Sequence, residues 1–378
     1  MPPIPAADPT SPLERGRLAW NTYLTMKSQD YRGLAELRRQ GWENPQGDTH
    51  FKTQRERADY PTAMGKLKFF QMMREIGEEM NKFSSILKFS DKLTDTPLRV
   101  LDLCFAPGGF SSTVMDLNQR AIVRGTTLPP SLGGHEVLFP QWETHPRLRI
   151  KFCDLTMRAG EMGIDPTTVP EEHPDRSNFD YSMRLFTKDA YGDDEADEPF
   201  NLIICDGQVL RTHAYARAEY RENCEAARLT LSQLIIGLQR LQGVGDNGRM
   251  VILLHRPDAL DTAFLLWSLS TFARIKLFKP RVKHAVRSSF YVLATKIRVN
   301  SDEAVRAIDG WKEDWTVATF GTEEEWEARR IKQFYSLDVV EDLINKFGQE
   351  LVRLAEPIWR IQARKLKKAQ AAWSNPTG

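Results

Sequence analysis

The stretch from Leu98 to Gln119 limits the folds open to this chain more than any other. It begins with the apolar run Leu98-Arg99-Val100-Leu101-Asp102-Leu103, passes through Cys104-Phe105-Ala106-Pro107-Gly108-Gly109, and becomes a helical pattern over Gly109 to Gln119. A short apolar run, a glycine turn and a helix in succession predict a strand–turn–helix unit. Further strand patterns lie at Ala121 to Thr127, Leu148 to Cys153, Phe200 to Cys205, Arg249 to His255, Arg274 to Lys279 and Ser289 to Ile297. Helical patterns at Arg221 to Leu241 and Asp258 to Phe272 fall between some of them. Such alternation predicts an α/β fold: a mostly parallel sheet with helices on both faces. The last two strands have no helical pattern between them, which predicts an antiparallel edge pair.

The flanks read differently. Residues 1–95 contain helix-like stretches over Leu13 to Gln40 and Thr62 to Leu87 but no convincing strand; after Val299 the helical pattern returns, carrying Trp311, Trp315, Trp326 and Trp359. The expected organisation is an N-terminal helical extension (1–95), an α/β domain (96–298) and a C-terminal helical extension (299–378). Between Leu155 and Pro199 the pattern breaks, and Asp189 to Glu198 holds six carboxylates in ten residues. This predicts an insertion of about 155–199, a solvated loop rather than a metal site.

Composition excludes several classes. No stretch approaches the roughly 18 apolar residues of a membrane span, and Met1-Pro2-Pro3-Ile4-Pro5 lacks a secretory pattern, so an intracellular protein, cytoplasmic or nuclear, is expected. The cysteines Cys104, Cys153, Cys205 and Cys224 lack metal-ligand spacing and read as buried reduced thiols. With 52 basic against 51 acidic side chains, attraction to nucleic acid must rest on local clusters. One such cluster is Arg274 to Arg298, with eight basic residues, His284 and no acid.

Glycines at a strand-to-helix turn let a ligand approach the backbone, and the helix start offers unpaired N–H groups. The spacing is neither Gly-x-Gly-x-x-Gly nor a Gly-Lys-Ser/Thr loop, which argues against NAD and ATP. A small-molecule cofactor site and an ordinary glycine turn both satisfy the pattern.

Asp102-Leu103-Cys104-Phe105-Ala106-Pro107-Gly108-Gly109-Phe110-Ser111 resembles the cofactor loop of the FtsJ family of RNA ribose 2′-O-methyltransferases. Asn201-Leu202-Ile203-Ile204-Cys205-Asp206-Gly207 resembles that family's strand with the catalytic aspartate. Lys279-Pro280 followed by Ser288-Ser289-Phe290-Tyr291-Val292 resembles its closing hairpin. The likeness spans roughly residues 60–298. It implies a Rossmann-like methyltransferase sheet and S-adenosylmethionine as cofactor, with RNA as partner. By the same resemblance Asp102, Ala106, Pro107, Gly108, Gly109 and Phe110 line the methionine end, Asp206 reaches the activated methyl, and Asp154 lies near the adenine. Thr127 stands where the family places an acidic residue at the end of its second strand.

The family orients and deprotonates a ribose hydroxyl with Lys-Asp-Lys-Glu. Here Asp206 supplies the aspartate and Lys66, with Lys68 as the alternative, the first lysine; Leu253 and Ser289 occupy the second lysine and glutamate positions. His255, two residues beyond Leu253 and on the same side of that strand, is a candidate substitute base. In the resembled fold Lys279, Arg281, Lys283 and Arg287 lie beside the catalytic edge as candidate phosphate contacts, and Arg211, His213 and Arg217 extend that rim. Asp206 is followed by Gly207-Gln208-Val209 rather than the Pro-Pro-Tyr/Trp of amino-directed enzymes, and no cysteine follows a proline, so oxygen is the favoured acceptor. Two alternatives remain: a methyltransferase-like module that has lost turnover and binds RNA or protein, and a small-molecule O-methyltransferase. No feature of the chain indicates an oligomeric state.

Overall fold

The computed structural model describes residues 11–42, 62–89, 97–183, 185–186, 199–209, 220–243 and 248–374. Helices α1 (Pro12–Lys27), α2 (Gln29–Trp42) and α3 (Ala63–Ser84) precede β1 (Arg99–Leu103), which leads through the glycine turn into α4 (Gly109–Leu117). Strands β2 (Ile122–Thr127), β3 (Leu148–Phe152) and β4 (Leu202–Cys205) follow, then α5 (Glu225–Arg240), β5 (Arg249–His255), α6 (Leu260–Phe272), β6 (Arg274–Phe278) and β7 (Ser289–Thr295). The chain ends in α7 (Asp302–Phe320), α8 (Glu323–Arg330), α9 (Leu337–Leu343) and α10 (Gln349–Ser374).

The seven strands form one sheet in the order β3-β2-β1-β4-β5-β7-β6. The pairings from β3 to β5 are parallel, and β7 runs antiparallel to both β5 and β6. This is the Rossmann-like α/β architecture that the alternating pattern predicts, with the antiparallel pair at one edge.

Strand alternation divides the core into two layers. Leu101, Leu103, Ile203, Cys205, Met250, Ile252 and Val292 join the larger cluster, which also takes in Trp20 of α1, Trp315 of α7 and Trp359 of α10. Val100, Ile204, Val251, Tyr291 and Leu293 join the other, built with Met73 and Ile76 of α3 and Phe110 and Val114 of α4. Both terminal extensions are thus continuous with the core of the sheet. Asp258, in the turn after β5, ties them to it. Its backbone carbonyl accepts from Trp20 Nε1 at 2.8 Å, while its carboxylate accepts from Arg38 of α2 at 2.9 Å and Trp359 Nε1 at 3.4 Å.

The described part of the segment read as a solvated loop is packed instead. It forms short 3-10 turns, such as Leu155–Met157 and Ala159–Met162, and buries Leu155, Met157, Met162, Val169 and Phe179 in the larger cluster. Glu161, 1% exposed, receives Arg240 at 2.8 Å and Arg158 at 3.2 Å. The neighbouring apolar residues pull the segment inward, and these buried ion pairs fix its course. The acidic run from Asp189 to Glu198 lies outside the described residues.

Candidate active site

Parity along the strands brings the candidate residues together. Asp102 shares the face of Val100, Asp206 follows β4 in phase with Ile204, and Leu253 and His255 share the face of Val251. In the β5–β7 register Leu253 lies opposite Tyr291 and His255 opposite Ser289. The carboxyls of 102 and 206 therefore meet the upper ends of β5 and β7 on the side covered by α3 and α4.

The turn after β1 is shaped by close packing. Gly108 has φ 103°, in the left-handed region, and a Cβ there would lie 2.7 Å from the Phe105 ring. At Gly109 a Cβ would lie 2.6 Å from the Phe70 carbonyl oxygen and from Met73 Cβ, both on α3. The bare backbone lets α3 close over the start of α4. Phe105 N donates to the Thr126 carbonyl at 2.8 Å, binding the turn to β2.

Asp102 is 2% exposed and accepts from Ser111 Oγ at 2.6 Å. Burial pushes its carboxyl up to about 7 against that hydrogen bond. Asp206 is raised well above the carboxylate range, first by burial and then by the charge of Asp102, while a hydrogen bond from the Tyr291 hydroxyl opposes the shift. Its Oδ1 is buried without a partner. Among the described residues no cation acts on either carboxyl. Two buried acids without a counter-charge suit a ligand that carries positive charge.

Two residues overlooked by sequence reasoning hold Asp206. The Tyr291 ring packs edge-on against Phe110 at 5.8 Å, aiming its hydroxyl at the carboxyl. Gln233 of α5 accepts from Gly207 N at 2.8 Å and donates to Gly207 O at 3.3 Å, clamping the chain just past Asp206. Tyr291 stood within the hairpin motif, and its parity with Leu253 was the available signal. Gln233 had none, because its contact depends on how α5 crosses the sheet.

The remaining candidates fall in three groups. Thr127 ends β2, buried; Asp154 accepts from Thr156 N at 2.9 Å and Thr156 Oγ1 at 2.8 Å, with its other oxygen 3.7 Å from the buried Arg221. Asp154 thus caps a turn as well as bordering the site. Lys66 pairs with Glu136 at 2.9 Å and Lys68 is exposed, both on the first turns of α3. Neither is among the groups acting on Asp206, so the lysine partner expected of that residue is not met.

His255 ends β5 with Nδ1 3.3 Å from Ser288 Oγ. Desolvation of the ring, then the charges of Lys279 and Arg287, hold it below the ordinary histidine value.

Lys279 needs a correction. Far from offering its charge to a phosphate, it is 2% exposed and donates to the carbonyls of Arg287 at 2.7 Å and Ser289 at 2.8 Å. Burial, then Arg38, draws its ammonium down to about 7. It fixes the 280–288 loop from within. Lys283 pairs at the surface with Glu75 of α3 at 3.2 Å, Arg281 N donates to Glu79 at 3.0 Å, and Arg287 is exposed. Arg211, His213 and Arg217 lie outside the described residues. Among the described residues no cluster of His, Cys, Asp or Glu could hold a metal, and no helix is long and apolar enough to cross a membrane.

The model of the FtsJ-like methyltransferase family matches residues 78–297. No curated protein matches the chain. Among solved structures, a ribosomal RNA methyltransferase of Plasmodium falciparum is 13% identical, with 59% of this chain and 96% of that one covered and a TM-score of 0.35. Human methyltransferase-like protein 13, in complex with SAH, is 14% identical over 64% and 91% of the two chains, with a TM-score of 0.37. An rRNA methylase of Streptococcus thermophilus is 13% identical over 58% and 96%, with a TM-score of 0.32.

Proposed function

The chain belongs to the FtsJ-like methyltransferase family, and from that premise we propose that it methylates a ribose 2′-hydroxyl of RNA. S-adenosylmethionine, the cofactor of the family, supplies a methyl group on a cationic sulfur when bound. The residues present suit it on two counts. Gly108 and Gly109 leave the backbone bare where a side chain would strike Phe105, Phe70 and Met73. Asp102 and the unpartnered Oδ1 of Asp206 put negative charge where an ammonium and a sulfonium would need it. In this reading Ala106, Pro107 and Phe110 complete the methionine side, and Thr127 and Asp154 border the adenosine.

The observation that carries the proposal is Asp206 itself: a buried carboxyl at the end of β4, held by Tyr291 and left with one oxygen free to orient an acceptor hydroxyl. His255 acts as the base. With Nδ1 bonded to Ser288, Nε2 carries the lone pair, and the lowered pKa keeps it neutral near pH 7. Leu253 in place of a lysine makes the wall beside Tyr291 apolar. Arg281, Lys283 and Arg287 border the same edge as phosphate contacts.

Incubation with radiolabelled cofactor and total RNA, followed by digestion to nucleosides, tests the reaction; the expected products are 2′-O-methylated nucleosides. His255→Gln is expected to lower kcat by roughly 10²–10⁴-fold and to remove the acid limb of the pH–rate profile. An unchanged rate would exclude His255 as the base.

Cofactor affinity should also depend on pH. Below about 7 Asp102 is protonated in the cofactor-free protein, so calorimetry should show binding that strengthens as pH rises to that value and then levels off. The Asp102→Asn protein should bind weakly at every pH. The same linkage lowers the stability of the free protein: for a carboxyl raised by folding, stability present below its unfolded value near 3.8 is lost as pH climbs through about 7.

Leu253 and Ser289 favour a second reading, a module that binds cofactor and RNA without turnover. Cofactor uptake with no transfer to any RNA pool would select it.

A further inference from the structure

A cavity of about 320 Å³ opens beside the candidate site, between α1, the turn after β5 and Tyr335. Its wall includes Arg17, Trp20, Asn21, Arg256, Asp258 and Tyr335. We propose that this cavity is a second substrate subsite, holding a phosphate of the RNA strand next to the nucleotide being methylated. The inference rests on the reading of the site as an RNA methyltransferase and adds a place where the strand is gripped.

Position comes first. Arg256 directly follows His255, so the cavity adjoins the end of the strand that carries the proposed base. It lies on the β5 side of Asp206, where an acceptor chain would continue away from the cofactor turn after β1.

The chemistry of the wall is that of an anion site. The side chains of Arg17 and Arg256 are 48% and 58% exposed, presenting two guanidinium forks, the geometry that grips phosphate oxygens in pairs. Asn21 adds an amide. Arg17 lies over the Tyr335 ring at 5.4 Å, which steadies its long stem. The volume sits at the small end of ligand pockets and admits one phosphate with part of its sugar.

The acids nearby are already engaged. Asp258 Oδ2 receives Arg38 at 2.9 Å and Arg256 at 3.1 Å, and Oδ1 receives Trp359, while its side chain is 1% exposed. Glu14 pairs with Arg17 at 3.0 Å in solvent, where a phosphate competes readily. Asp261 pairs with Arg330, whose guanidinium also approaches Tyr335 at 5.8 Å.

A second, independent sign is backbone strain. Arg256 has φ 48°, a left-handed conformation rarely adopted by a residue with a long side chain. Such conformations persist where the surrounding structure enforces them, and they cluster at ligand clamps. Here the conformation turns the chain so that Arg256 meets both Asp258 and the cavity.

The test uses the full-length protein and three probes: inorganic phosphate, adenosine 5′-monophosphate and a labelled 12-nucleotide single-stranded RNA. Arg17→Glu, an exposed change monitored by melting temperature and cofactor affinity, is expected to weaken RNA binding in fluorescence anisotropy by about tenfold or more. It should also reduce the slope of log affinity against log salt by about 0.7. In transfer assays the change should fall in KM for RNA rather than in kcat. Asn21→Ala should weaken RNA binding in the same direction by a smaller factor.

Equal RNA affinity of the wild-type and Arg17→Glu proteins would overturn the subsite and leave methyl transfer standing. Weakened RNA binding in a protein that transfers no methyl would overturn the catalytic reading and leave the subsite. Loss of adenosine monophosphate or phosphate binding in Arg17→Glu with RNA affinity intact would identify the ligand as a free phosphate compound, and so refute the RNA assignment.

Discussion

Replacing Asp206 by asparagine is expected to abolish most methyl transfer and, at the same time, to raise the melting temperature of the cofactor-free protein. The loss should be at least roughly 10²–10³-fold, because the residue acts where charge shifts during transfer. The gain follows from linkage. Burial, and then the charge of Asp102, raises the Asp206 carboxyl well above its unfolded value near 3.8. Its stabilising contribution is complete below that value and is lost as pH climbs towards its folded pKa. An amide of the same shape escapes this loss, so the variant should melt a few degrees higher at neutral pH, at about 2–4 °C per kcal/mol for a domain of ordinary size. The difference should widen as pH rises. Scanning calorimetry at pH 5 and pH 8, paired with a transfer assay, reads both effects; a variant that melts lower and still transfers would remove Asp206 from the site.

Gly109→Ala should do the opposite to stability and the same to function. The added methyl would lie 2.6 Å from the Phe70 carbonyl oxygen and Met73 Cβ, and 3.2 Å from Arg74 N. Backbone cannot swing aside as a side-chain tip can, so α3 would have to retreat from α4. Gly77 of α3 is seated almost as closely, with its added methyl 3.3 Å from Phe110 and 3.2 Å from Thr113 Oγ1, so little slack exists from the other side. Overpacking of this kind costs about 1–3 kcal/mol. The denaturation midpoint should fall, and cofactor affinity should drop by about tenfold or more as the turn is displaced. Gly33→Ala in α2 supplies the contrast: nothing lies within 4 Å of the added methyl, and helix propensity favours alanine by roughly 0.5–1 kcal/mol. If both alanines behaved alike, the tight seat of Gly109 would have no functional meaning.

Much of this arrangement was legible in the chain. Alternating strand and helix patterns announced the sheet, and Asp102, Gly108, Gly109 and Asp206 were visible because the glycine turn and the strand ends are local features. What was hidden depends on three-dimensional crossing. The Arg158–Glu161–Arg240 cluster joins residues far apart in sequence, so a segment polar in composition was read as solvated although it is buried. Lys279 looked like a free cation because charge is legible in sequence and burial is not; three carbonyls of its own loop, those of His284, Arg287 and Ser289, receive its ammonium. Tyr291 hid in plain view within an apolar strand, since only the β5–β7 register sets it across from Leu253.

The way Asp258 gathers Trp20, Arg38 and Trp359 bears on any attempt to excise the catalytic unit. The span matched by the family, 78–297, begins inside α3 and omits α1, α2 and α10. A fragment trimmed to those limits would leave the end of β5 without its brace, and tryptophan-sized hollows would open along its flank. Transplanting this activity into another protein therefore means carrying both tails with it, as parts of one fabric rather than as appendages.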